Sequence, residues 1–148
     1  MKYKISAVVL IFLLVLSGCG KKESVKPNAK FLGTYKVKDV WASNKTEIGS
    51  GSLEYELNIK PNGDSLVIID NINKTLFGVR GVAKDDTLYI LSQTGKSLAG
   101  RSYELDEQRG YLDGGKLVLN CDYNDLYIAN LIGSVSVTMV GTKNTEEK

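Results

Sequence analysis

From Phe31 onward, apolar and polar positions alternate with a period of two. No stretch carries apolar residues at i, i+3, i+4 and i+7 for long enough to make a helix. Leu53, Tyr55, Leu57 and Ile59 alternate with Glu54, Glu56, Asn58 and Lys60, the pattern of a strand with one buried and one wet face. Lys116 to Tyr123 repeats it, with Leu117, Leu119, Cys121 and Tyr123 facing inward, and Ser134 to Val140 places Val135, Val137 and Met139 on one face. Ser65 to Asp70 is a more continuous apolar run, which predicts a strand covered on both faces. The first strand, Gly33 to Trp41, puts Tyr35, Val37 and Trp41 on one parity with Asp39 among them, and a polar residue there predicts a bulge.

Turn chemistry punctuates these runs at Pro61-Asn62-Gly63-Asp64, Asn71 to Asn73, Asp85-Asp86 and Asp113-Gly114-Gly115. Between the turns lie Thr75 to Lys84, bent at Gly78 and Gly81, then Thr87 to Gln93, a glycine-containing loop over Thr94 to Gly100, and Arg101 to Asp106. Ala42 to Ser52 is the longest unpatterned connection, and Tyr127 to Ile132 reads equally as short strand or loop. About eight strands joined by short turns predict an all-β domain, either an up-and-down barrel or a meander sandwich. Pairing the first strand with the last would remove its exposed edges.

The N-terminus has a different pattern. Lys2 and Lys4 precede the apolar run Ile5 to Leu16, whose twelve residues are too few for a membrane span of about 20 but suit the helix of a secretory signal peptide. Directly after it, Leu16-Ser17-Gly18-Cys19 resembles the lipobox of bacterial lipoproteins. That resemblance implies cleavage before Cys19, acylation of Cys19 and anchoring in membrane lipid. Two or three chains hold far better than one, since each buried methylene contributes about 0.8 kcal/mol. Gly20 to Lys30 is polar and without period, the composition of a flexible tether. Position 20 is Gly rather than the Asp that resembles an inner-membrane retention signal, which favours the outer membrane. The expected organisation is therefore a leader over 1–18, lipidated Cys19 and tether over 19–30, a β domain over 31–144 and a polar tail over 145–148.

Charge and composition narrow the function. The formal net charge of +2 includes Lys2 and Lys4 of the leader, and without them 17 basic residues face 17 acidic ones. Lys21 to Lys30 holds four lysines and one glutamate, so residues 31–148 sum to −3, the wrong sign for nucleic acid. Histidine is absent, which removes Ser-His-Asp and Cys-His catalysis and histidine-containing zinc sites. With Cys19 acylated, Cys121 has no partner for a disulfide, and its strand parity makes it a small buried hydrophobe. Glu54 and Glu56 fall on a polar face and Asp85-Asp86, Asp113 and Asp125 in turns, without calcium-loop spacing, and Gly49-Ser50-Gly51-Ser52 lacks the lysine and helix of a phosphate cradle. No cofactor or metal is expected.

A second resemblance covers most of Phe31 to Asn144. Phe31-Leu32-Gly33-Thr34-Tyr35, the Glu54 to Lys60 strand, the Asp113 to Leu117 hairpin and Gly141-Thr142-Lys143 are similar to small lipocalin-like lipoproteins of Bacteroidetes-type bacteria. It implies a lipocalin-like barrel and carries over no catalytic residue. Ser50-Gly51 before Tyr55 misses by one residue the spacing of periplasmic lysozyme inhibitors. Asp64-Ser65-Leu66 and Asp86-Thr87-Leu88 resemble acceptor sequences for O-glycosylation, making Ser65 and Thr87 candidate modification sites. Among the aromatics, Tyr35, Trp41, Tyr55, Tyr103 and Tyr123 are candidates to line an internal ligand site, and Tyr89, Tyr111 and Tyr127 a surface patch. The expected function is that of a lipid-anchored, non-enzymatic envelope protein that binds a partner protein or small ligand. A carrier of an apolar small molecule is the first alternative, and an envelope inhibitor or enzyme the second. A hollow barrel would favour carriage and a filled one interaction.

Overall fold

The computed structural model describes residues 26–44, 49–125 and 134–144, and all of their regular structure is strand. The strands are β1 (Gly33–Ser43), β2 (Ser50–Pro61), β3 (Leu66–Asp70), β4 (Val79–Lys84), β5 (Thr87–Ile90), β6 (Gln93–Lys96), β7 (Ser102–Leu105), β8 (Gln108–Asp113), β9 (Lys116–Asp125) and β10 (Ser134–Lys143). Their pairings are antiparallel, in the order β10-β1-β2-β3-β4-β5-β8-β9, and β9 pairs again with β10. The result is a closed, eight-stranded up-and-down barrel, the first of the two architectures expected. As anticipated, the first strand closes against the last, through the register Tyr35↔Lys143 to Ser43↔Val135.

β6 and β7 are the upper halves of two broken staves. β5 and β6 run on from one another across Leu91-Ser92, and β7 and β8 across Asp106-Glu107. β8 pairs with the start of β9 (Leu112↔Leu117) and β7 with its end (Leu105↔Tyr123). Where β6 diverges from β4, the Gln93 carboxamide spans the gap, accepting from Arg80 N–H at 3.0 Å and donating to the Arg80 carbonyl at 3.0 Å. A side chain thus supplies the bonds that the ladder no longer makes.

Alternation directs one face of each strand inward, and the inward set forms a single core cluster including Tyr35, Leu57, Ile69, Leu88, Leu119 and Met139. Burial of each such side chain contributes roughly 1.5–3 kcal/mol. The staves come close enough that a Cβ on inward-facing Gly81 would meet the Tyr89 carbonyl oxygen at 2.9 Å, so glycine is required by contact and not by a bulge. Gly78, by contrast, has φ +68° and marks where the chain turns into β4.

One end of the barrel is plugged. Residues 26–31 fold across it, with Asn28 buried and its Nδ2 donating to the carbonyls of Gly63 (2.9 Å) and Leu66 (3.0 Å). Phe31 is fully buried, and its carbonyl accepts from the Tyr35 hydroxyl at 2.9 Å. Lys26 pairs with Asp64 at 2.9 Å and Lys30 with Asp86 at 2.5 Å. The expected tether is therefore shorter on its C-terminal side, because Lys26 to Lys30 pack on the barrel. The opposite end, where β1 and β9 finish, β2 and β10 begin and the β6–β7 hairpin turns, is called the mouth below.

Several expectations are corrected. Asp39 lies in continuous register between Met139 and Leu53, with no bulge, and points into the barrel. The Ala42 to Ser52 connection shrinks, since β1 runs to Ser43 and β2 starts at Ser50. The Thr94 to Gly100 loop is largely strand and hairpin turn, and β8 adds a strand absent from the sequence pattern because it buries only Gly110 fully. β3 is not covered on both faces: Leu66 is 43% exposed on the outside. Tyr127 to Ile132, the 145–148 tail and residues 1–18 with Cys19 lie outside the described residues.

Candidate functional site

The five aromatic candidates divide between the two ends. Tyr35 belongs to the plugged end, where its hydroxyl is bonded to Phe31 and burial pushes its pKa up to about 12. It is a structural residue. Trp41, Tyr55, Tyr103 and Tyr123 all point inward toward the mouth, on β1, β2, β7 and β9. Cross-strand register sets their layers: Trp41 faces Val137, which faces Cys121, and Val135 faces Tyr123 one step nearer the mouth. Two close contacts shape the walls. The Trp41 indole lies over Gly51, where a Cβ would stand 2.9 Å from the ring, and the Tyr103 ring lies over Gly95, where it would stand 2.5 Å away.

At the centre is a residue that strand parity directs inward and local pattern reads as a bulge. Asp39 is fully buried, with Oδ1 accepting from Leu53 N–H at 3.0 Å. Burial raises its pKa above the ordinary carboxylate value, an effect that the neighbouring Tyr55 hydroxyl, the Leu53 N–H and the Lys74 ammonium partly offset. Tyr55 accepts from Asn73 N–H at 2.9 Å, and Asn73 Nδ2 donates to the Tyr123 hydroxyl at 3.3 Å. Desolvation, then the nearby carboxylate of Asp39, push the Tyr55 pKa up as well. Asp39 Oδ2 and Asn73 Oδ1 have no hydrogen-bond partner although both are buried.

Asn73 reaches this position because residues 71–76 form a tight turn tucked into the mouth. Ile72 and Leu76 are fully buried and bridge each other, Asn71 Nδ2 holds the Glu56 carbonyl, and Thr75 Oγ1 holds the Asn73 carbonyl. Asn71, Asn73 and Lys74 all have positive φ, which asparagine tolerates and lysine seldom adopts. The sequence marks 71–73 as a turn, but nothing in it says that Asn73 turns inward.

The other candidates sit elsewhere. Cys121 is buried, and burial followed by the Asp122 charge raises its pKa to about 12, which fits a packing role. Ser65 and Thr87 are half-buried at the plugged end, at the boundaries of β3 and β5. Ser65 borders an external cleft of about 520 Å³ between Lys26-Pro27-Lys30 and Val82 to Asp85. Of the proposed surface patch, Tyr111 is exposed and Tyr89 half-buried beneath the Arg109 guanidinium, 5.4 Å from its ring centre; Tyr127 lies outside the described residues. Among the described residues no group of three or more Cys, Asp or Glu side chains is placed to hold a metal ion.

Fold and site together define the class: a closed antiparallel β-barrel, plugged at one end, with a buried carboxylate among aromatic side chains at the other. No known protein-family model matches the chain, and no curated protein matches it significantly.

Proposed function

We propose that the protein is a lipid-anchored, non-enzymatic binding protein of the bacterial envelope, a lipocalin-like barrel held on the outer membrane through acylated Cys19 and working at its mouth. The observation that carries the binding part is a filled interior that opens, at the mouth, onto partly accessible aromatic side chains. Phe31, Tyr35, Leu57, Ile69, Leu88 and Leu119 have no surface that a water-sized sphere can touch, so they line no void. The inward-facing aromatic side chains that keep accessible surface lie at the mouth, on Tyr123 (7%), Tyr103 (3%) and half-buried Trp41 and Tyr55, with Val135 (6%) beside them. At the plugged end the partly exposed core-packing residues are the rim leucines Leu32 and Leu112.

This pattern speaks against the alternative of a carrier, whose cavity of about 300–1,000 Å³ would leave its lining side chains accessible. It speaks for recognition at the mouth of a small ligand or part of a partner. An enzyme draws less support, since Asp39 is the single buried carboxylate among the described residues and the chain has no histidine to accompany it.

Chain geometry agrees with the anchor. Lys26 joins the barrel at the plugged end, and the seven steps from Cys19 to Lys26 span at most about 25 Å. An acylated Cys19 would hold the plugged end toward the bilayer and leave the mouth facing away. Membrane fractionation of cells producing the wild type and Cys19→Ala tests this reading. The wild type should sediment with membranes, and Cys19→Ala should either be released or keep its leader. Normal cleavage of Cys19→Ala with undiminished membrane retention would overturn it.

A further inference from the structure

We infer that the mouth is a binding site for a small organic ammonium, its charged head held by Asp39 Oδ2 and Asn73 Oδ1 and its apolar part lying against Trp41. The inference rests on the reading of the mouth as the binding end and names the ligand class for it.

Hydrogen-bond accounting selects the class. The donors of the cluster are engaged: Leu53 N–H on Asp39 Oδ1, the Tyr55 hydroxyl on the Asp39 carboxylate, Asn73 N–H on the Tyr55 oxygen, and Asn73 Nδ2 on the Tyr123 hydroxyl. What remains without a partner is two acceptors, Asp39 Oδ2 and Asn73 Oδ1, on side chains of residues 0% and 8% exposed. Both belong to residues that flank the same Tyr55 hydroxyl. Acceptors that lack donors call for a ligand that donates and, beside a carboxylate, one that is positively charged. An anion or a purely apolar molecule would leave both oxygens unsatisfied.

The walls separate an organic cation from a metal ion. Among the described residues Asp39 is the one buried carboxylate, and no metal-holding group of side chains forms. Tyr55 contacts Asp39, Trp41 shares its strand face and Tyr123 is joined to the cluster through Asn73, and the faces of such rings attract ammonium groups within about 6 Å. The protein's own cation facing Asp39 is Lys74, exposed on the 71–76 turn. It leaves Oδ2 without a hydrogen bond.

Geometry also sets the size. Trp41 and Asp39 share one strand face two residues apart, so the indole sits about 7 Å nearer the mouth than the carboxylate. An ammonium joined to an aromatic ring by two carbons spans that separation. Because Gly51 has no side chain, the indole can lie on β2, on the mouth side of Asp39. A ligand whose charged head reaches Asp39 from the mouth passes the indole, so binding alters the surroundings of Trp41.

Trp41 is the single tryptophan of the chain, so its fluorescence reports the site directly. The test is titration of the full-length protein, purified in detergent from its own membrane, with phenethylammonium chloride. Neutral 2-phenylethanol and potassium chloride at matched ionic strength serve as comparisons. A saturable change with the ammonium, at least about tenfold weaker with the alcohol and absent with the salt, supports the site. Asp39→Asn should abolish the change while melting cooperatively, and Asn73→Ser, which shortens the second acceptor, should weaken it. Equal responses to ammonium and alcohol would make the mouth an apolar pocket and overturn the assignment. So would a response to potassium chloride alone, unchanged affinity in both variants, or no saturation by about 10 mM. Membrane retention of the same preparations tests the anchor separately, so either reading can fail alone.

Discussion

Replacing Asp39 by asparagine should stabilise the protein, although the residue lies at the centre of the barrel mouth. The wild-type carboxylate uses Oδ1 to accept from Leu53 N–H, and Oδ2 stays without a donor while Asn73 Oδ1 also lacks one. A buried acceptor left unsatisfied costs about 1–3 kcal/mol. The carboxamide introduced by Asp39→Asn would keep the acceptor for Leu53 and remove the unsatisfied charged oxygen from the interior. The expected gain at neutral pH is about 1–2 kcal/mol, a rise in melting temperature of roughly 3–10 °C for a domain of this size.

The pH dependence carries the sign. The folded pKa of Asp39 is raised above its unfolded value near 3.9, so its contribution to stability is fully present below about pH 4 and is lost as pH rises through the folded pKa. Asp39→Asn should therefore exceed the wild type at about pH 7 and match it at about pH 3.5. Asp70 acts in the opposite sense. Burial works against its charge, but the Lys60 ammonium at 2.7 Å and the Gly78 N–H at 2.8 Å hold its pKa below the ordinary value. It occurs in both proteins and cancels from the comparison. Thermal unfolding followed by far-ultraviolet circular dichroism at the two pH values measures the effect. A lower melting temperature for the variant at neutral pH, or a difference that does not change with pH, would refute the account of Asp39.

Other consequences do not depend on binding at the mouth. Cys121, buried and with its pKa raised to about 12, should resist N-ethylmaleimide in the native protein and take one label only after denaturation, read by intact mass. Asn28→Ala removes the two hydrogen bonds that fasten the plug and should cost about 1–3 kcal/mol in chemical denaturation. Lys26→Ala, which breaks only an exposed ion pair, should cost under about 1 kcal/mol. Gly81→Ala places a methyl against the Tyr89 carbonyl oxygen and should destabilise by about 1–3 kcal/mol, visible as a shifted denaturation midpoint.

Much of the barrel is legible because half-buried strands write their faces into the sequence. Leu57 and Ile59, the Leu117 to Tyr123 set, and Val135, Val137 and Met139 all lie inside as alternation indicates. β8 is hidden because Gly110 provides its inward contact with no side chain, and the β5–β6 break because Gln93 replaces a ladder by side-chain bonds. The plug is hidden because its grip depends on Asn28, a polar residue in a polar segment, finding two distant carbonyls. At the mouth, four of the five aromatic candidates converge, as parity allows. Asp39 is visible by the same parity, but a carboxylate inside a barrel conflicts with the ordinary cost of burying charge, and local pattern resolves that conflict in favour of a bulge. Its partner Asn73 depends on the left-handed turn at 71–74, a tertiary feature that no short-range pattern encodes.

The central claim, a barrel tethered by lipid and binding at its mouth, is tested most directly by native mass spectrometry of the protein extracted from its own membrane. The account predicts a chain beginning at Cys19, heavier than residues 19–148 by two or three acyl chains with their glycerol. It also predicts a small cationic molecule retained by the wild type and lost from Asp39→Asn. A mass equal to unmodified residues 1–148, with nothing retained, would contradict it.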